Sequence, residues 1–178
     1  MNNFKILIAG FSGSGKTSLL QAARDLAPSD WEEFSDLDQL ILKSRGKGFR
    51  DLASLIEAHG WEKFRLWERQ ELEGWLKEDG KGVLALGGGT LSPLVWELFR
   101  SSRKIKFCYL ESDFETCWQR LTQEGEEKRP LVLRGKAELM KVYSERLLVF
   151  EQIPWKLRNS EGAELKQLAR EFWQEITF

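Results

Sequence analysis

Cysteine is scarce: the 178 residues include two, Cys108 and Cys117. That is too few for a disulfide-stapled scaffold or a four-cysteine zinc site, and it fits a reducing compartment. His59 is the only histidine, so a multi-histidine metal centre is excluded. Charge of one sign is also lacking: 27 basic against 28 acidic side chains leaves a formal charge of −1. Such a chain has no global field to draw in nucleic acid or an anionic membrane, so neither is an expected partner. Any anionic ligand must be held by locally placed donors. Long apolar runs are missing too. The stretch ahead of Gly10 is too short for a signal-peptide core or a membrane span, which makes the cytoplasm the expected location.

What remains is an ordinary globular composition, 42% hydrophobic and 31% charged, at a length that suits one domain over residues 1–178. The eight tryptophans are scattered and read as packing residues. Phe4–Ala9, Trp31–Phe34, Val83–Leu86, Ile105–Leu110 and Trp155–Arg158 read as strands. Helical patterns cover Thr17–Ala27, Asp38–Lys43, Phe49–Ala58, Trp61–Lys77 with Gly60 as the break, Asp113–Thr122 and Ala137–Gln152. Leu139, Met140, Tyr143, Leu147 and Phe150 form the apolar face of that sixth helix. Ser92 followed by Pro93 marks a further helix start, and an apolar stripe from Leu165 to Ile176 closes the chain. Strands alternating with helices predict an α/β fold with a parallel sheet covered on both faces. Ligands of such sheets bind beyond the carboxyl ends of the strands.

The most unusual local sequences fall at those ends. Gly10-Phe-Ser-Gly-Ser-Gly-Lys16-Thr17 matches the G-x-x-x-x-G-K-[ST] phosphate loop at every fixed position, between a strand and a helix. Its backbone N–H groups and the helix N-terminus suit a phosphate. Gly13, Ser14, Gly15, Lys16, Thr17 and Ser18 are the expected ATP contacts. Lys16 is assigned to the outer phosphates and Thr17 to Mg²⁺. After the second strand, Asp36 and Asp38 allow two readings. One carboxylate aids Mg²⁺ while the other takes a proton from an attacking hydroxyl. Alternatively Ser35 or Asp36 caps a helix whose first turn holds Asp38.

Gly87-Gly88-Gly89 ends the third strand and leaves room for a ligand close to the backbone. Arg65, with Glu68 three residues on, reads by itself as a surface ion pair. Arg146 flanks the apolar face around Tyr143 and either snorkels or reaches into a cleft. The charged stretch Gln123–Leu133, carrying Arg129, is either a solvated loop or a lid that brings an arginine to the phosphoryl group. His59 and the cysteines are given no role; a dipole contact at a helix end accounts for His59.

Taken in order, these pieces resemble the shikimate kinase family over nearly the whole chain. The matching motifs are the phosphate loop, Phe34-Ser-Asp36-Leu-Asp38, Gly60-Trp-Glu-Lys-Phe64-Arg65, Leu86-Gly87-Gly88-Gly89, Arg129-Pro130-Leu131 and Glu145-Arg146. Trp61 departs from the family pattern, which places glutamate there. The resemblance implies a three-layer P-loop fold with a five-stranded parallel sheet, a substrate-binding helical region over about 37–78 and a lid over about 120–135. It implies transfer of the ATP γ-phosphoryl group to the 3-hydroxyl of shikimate by a monomeric, Mg²⁺-dependent enzyme. Asp38, Arg65, Arg146 and Gly87–Gly89 would hold shikimate, Asp36 and Thr17 the metal, and Lys16, Asp38 and Arg129 would serve catalysis. Arg129 would also meet the nucleotide. The alternatives are a related kinase, such as one for gluconate, or a nucleotide-binding module with degraded catalysis. Arg120 and the segment Arg158-Asn159 receive no assignment.

Overall fold

The computed structural model describes residues 4–123 and 132–176. Five strands form one parallel sheet in the order β2-β3-β1-β4-β5. They are β1 (Phe4–Ala9), β2 (Glu33–Asp36), β3 (Lys81–Ala85), β4 (Ile105–Glu111) and β5 (Lys156–Arg158). The helices are α1 (Lys16–Asp25), α2 (Leu37–Arg45), α3 (Leu52–Lys77), α4 (Pro93–Phe99), α5 (Phe114–Gln123), α6 (Lys136–Phe150) and α7 (Leu165–Gln174). Among the described residues no helix is long and apolar enough to cross a membrane.

The sheet divides the core because successive strand side chains point to opposite faces. Ile6 and Ile8 of β1 pack with Leu19, Ala23, Leu168 and Phe172 from α1 and α7. Leu7 and Ala9 face the other way, toward a larger cluster from α2, α3, α4 and α6. The expected three layers are therefore present.

Several boundaries shift for identifiable reasons. Trp31 is not in a strand; its N–H closes a turn onto the Pro28 carbonyl, and its ring packs edge-on to Trp173 at 5.1 Å. Pairing begins at Glu33, opposite Gly82. Gly60 does break the third helical stretch, with φ 81° and ψ 160°. Met140 is 40% exposed, so the buried face of α6 is narrower than its sequence pattern suggests. His59 packs its ring edge-on against Phe49 and Trp67, at 5.4 and 5.2 Å, rather than serving only as a helix-end charge.

Candidate active site

The loop from Gly10 to Thr17 joins β1 to α1. Gly15 is the N-cap of α1, with φ 94° and no side-chain cap, which leaves the first-turn N–H groups available to an anion. A side chain at Gly15 is doubly excluded: its φ is left-handed, and a Cβ would lie 2.5 Å from Asn159 Nδ2. At Gly13 a Cβ would lie 2.7 Å from the Cys117 carbonyl oxygen. The loop is thus pressed against α5 and the end of β5. Ser14 is buried. Lys16 is also buried, and its ammonium donates to the carbonyls of Gly10 at 2.9 Å and Phe11 at 2.8 Å. Thr17 and Ser18 are exposed in the first turn of α1.

Asp36 caps its helix with one carboxylate oxygen and meets Thr17 with the other. Its Oδ1 accepts from the N–H groups of Asp38 at 3.0 Å and Gln39 at 3.3 Å, capping α2. Its Oδ2 accepts from Thr17 Oγ1 at 2.7 Å. Asp38 lies in the first turn of α2, so the two carboxylates are not aligned along a strand. The helical turn instead carries Asp38 toward the glycine turn.

That turn is a meeting point. A Cβ on Gly87 would lie 2.8 Å from Asp38 Oδ1, 2.7 Å from Glu68 Oε1 and 2.8 Å from Thr90 Oγ1. One on Gly88 would collide with the side chain of Ser12 in the phosphate loop. One on Gly89 would lie 2.5 Å from Arg65 Nη2 and 2.8 Å from Arg146 Nη2. Asp38, Arg65 and Arg146 therefore gather around Gly87–Gly89, beside the phosphate loop.

The two arginines are held differently. Arg65 donates through Nη1 to Glu68 Oε2, and its guanidinium stacks 5.3 Å from the Trp61 ring. This is not a surface ion pair, because Glu68 is buried, with its side chain 3% exposed. Arg146 reaches inward and stacks 5.2 Å from the Phe11 ring. One turn earlier on α6, Tyr143 packs against Phe11 and Phe114 and donates to the Ser112 carbonyl at 2.9 Å. Burial pushes its hydroxyl up to about 12, so Tyr143 stays a neutral donor at physiological pH.

Two residues left unassigned in the sequence support the loop. Asn159, buried just past β5, donates through Nδ2 to the Ser14 carbonyl at 2.7 Å. Arg120 Nη1 lies 3.4 Å from the carbonyls of Gly13 and Ser14. The position of Asn159 at the carboxyl end of a strand was the available signal. Arg129, with the rest of lid residues 124–131, lies outside the described residues.

The family model described as Shikimate kinase matches residues 12–177. The chain belongs to the shikimate kinase family. A shikimate kinase from Streptococcus gordonii is 30% identical over 166 residues, covering 93% of this chain and 95% of the relative. One from Dictyoglomus turgidum is 37% identical over 144 residues, covering 80% of this chain and 79% of the relative. The fold is similar to that of a shikimate kinase from Acinetobacter baumannii solved in complex with shikimate. There the TM-score is 0.81 at 22% identity, covering 98% of this chain and 94% of that one.

Proposed function

We propose that this chain transfers the γ-phosphoryl group of ATP to the 3-hydroxyl of shikimate, giving shikimate 3-phosphate and ADP. The observation that carries the reading is the gathering of the Asp38 carboxylate and the Arg65 and Arg146 guanidinium groups around Gly87–Gly89, next to a phosphate loop. Arginine forks match a substrate carboxylate, and an aspartate matches polyol hydroxyls. Arg65 and Arg146 bind the shikimate carboxylate, and Gly87–Gly89 let the ring lie against the backbone. Asp38 orients the 3-hydroxyl and accepts its proton as that oxygen bonds to the γ-phosphorus and the bond to the ADP oxygen breaks.

Gly13, Ser14, Gly15, Thr17 and Ser18 cradle the nucleotide phosphates. Lys16 stabilises charge on the outer ones, a task for which its place at the loop suits it. Arg129 joins them from the lid. Magnesium fits the Thr17–Asp36 pair, a hydroxyl and a carboxylate 2.7 Å apart that offer the hard oxygen donors it prefers. When bound there it would neutralise phosphate charge. Asp36, Asp38, Arg65 and Arg146 come from one chain, so their arrangement is complete in a monomer. The cytoplasm supplies both ATP and the reducing conditions that two thiols suit.

A coupled assay for ADP release, run with shikimate, with gluconate and without acceptor, tests the reading. Turnover with shikimate alone is expected. Turnover with gluconate alone overturns it, and no turnover with either leaves a nucleotide-binding module.

A further inference from the structure

Thr90 follows the glycine turn and carries no role in the reaction as derived above. Its hydroxyl is buried and donates to Glu68 Oε1 at 2.5 Å. The other oxygen of the same carboxylate accepts from Arg65. The Thr90 backbone closes the turn itself, its N–H donating to the Gly87 carbonyl at 3.1 Å. Its carbonyl in turn accepts from Ser92 at 2.9 Å, at the start of α4. One residue thus joins the floor of the acceptor pocket to the carboxylate that holds the pocket's cation.

We infer that Thr90 is a positioning residue for acceptor recognition, setting the orientation of Arg65 through Glu68. The reason lies in the geometry of Glu68. A buried carboxylate with a single partner can rotate about its last torsion, which is broad and soft. A second bond, to the oxygen that does not face Arg65, fixes its plane, and a fixed plane fixes where the guanidinium fork points. Arg65 is 39% exposed and has freedom to swing outward. The Trp61 ring limits that swing by stacking, and the Thr90–Glu68 bond limits it by direction. Gly89 shows how little tolerance there is, since a single methyl group there would already crowd both Arg65 and Arg146. The hydrogen bonds of Thr90 run to Glu68, Gly87 and Ser92, all outside the phosphate loop, so its effect falls on the acceptor side.

The inference rests on the reading that Arg65 binds the shikimate carboxylate. Its test compares Thr90→Val and Thr90→Ser with the wild-type chain. The measurements are kcat, the KM values for shikimate and ATP, and the melting temperature. Valine keeps the shape and removes the donor. It should raise KM for shikimate about tenfold, on the scale by which a misplaced binding group acts, and leave KM for ATP within about twofold. Serine restores the donor and should restore KM. If valine prevents folding, Thr90→Ala, which only removes atoms, replaces it. A double-mutant cycle with Arg65→Ala should show the Thr90 effect vanish once the guanidinium is gone. An unchanged KM for shikimate, an equal rise for both substrates, or an undiminished Thr90 effect in the Arg65→Ala background overturns the relay. Absence of shikimate turnover in the wild-type chain overturns the underlying reading and the relay with it.

Discussion

Thr17 Oγ1 and Asp36 Oδ2 are joined by a 2.7 Å hydrogen bond across 19 positions of sequence. The bond ties the first turn of α1, at the phosphate loop, to the residue that caps α2, whose first turn brings Asp38 to Gly87. The phosphate loop and the start of α2 are thereby referenced to each other.

Asp36→Ala should lose the helix cap and, on the proposed reading, a magnesium ligand. The lost cap costs about 1 kcal/mol of stability, seen as a lower melting temperature. The magnesium concentration giving half-maximal activity should rise severalfold. Asp36→Asn keeps a capping oxygen and should show mainly the magnesium effect. A variant pair with equal melting loss and unaltered magnesium dependence would argue that Asp36 is a cap and nothing more.

Arg65→Ala should raise KM for shikimate by one to two orders of magnitude, about the 1.5–3 kcal/mol of a charge-assisted hydrogen bond, and leave KM for ATP near its original value. Asp38→Asn should instead act on kcat, with little change in melting temperature. Steady-state kinetics in both substrates separates the two; equal losses for shikimate and ATP would point to damaged folding.

Asn159→Ala removes the donor to the Ser14 carbonyl and leaves that buried acceptor with the weaker Arg120 contact at 3.4 Å. KM for ATP should rise about threefold to tenfold while KM for shikimate holds, given about 0.5–1.5 kcal/mol for the loss of one hydrogen bond. A pure stability loss with unchanged nucleotide KM would reject a role in shaping the loop.

Two helix caps predict a pH response. Asp51 accepts from the Ser54 N–H at the start of α3, and Asp113 from the Thr116 N–H at the start of α5. These backbone bonds hold both carboxyls below the usual carboxylate range. A lowered carboxyl contributes stability above its unfolded pKa, about 4, and that contribution fades as pH falls through the folded value. The melting temperature of Asp113→Asn should therefore trail the wild-type value at pH 7 and draw level with it as the solution is acidified through the lowered folded-state value. A gap that persists or widens in acid would mean that ionisation is not what matters.

Cys108 and Cys117 are both fully buried, and burial raises both thiols above their ordinary value. A thiol reagent at pH 8 should label neither in the native protein over minutes and both in guanidinium chloride. Fast native labelling of Cys117, behind Gly13, would reveal opening of the phosphate loop.

Much of this was legible in the sequence, because the signals are local. A phosphate loop must bend where its glycines stand, so Gly10–Thr17 is readable without any partner. Apolar runs separated by helical periods announce a parallel sheet, and Ser92-Pro93 announces a helix start. The resemblance of ordered motifs was enough to name Asp38, Arg65 and Arg146 as companions. Local reasoning failed where burial decides. Arg65 and Glu68 look like any exposed i,i+3 pair until the fold closes over the glutamate. Asp36 and Asp38 look aligned until the chain turns helical between them.

The chain's own order of residues determined which chemistries are present: a phosphate cradle, a carboxylate pair, scattered arginines. Tertiary structure decided which of them meet. Thr90 reaches Glu68 across 22 positions, and Asn159 reaches Ser14 across 145. Such contacts depend on how the strands order themselves and how the helices pack on them. Those choices are made by the summed burial of the whole core and leave no periodicity or spacing behind in the residues they bring together.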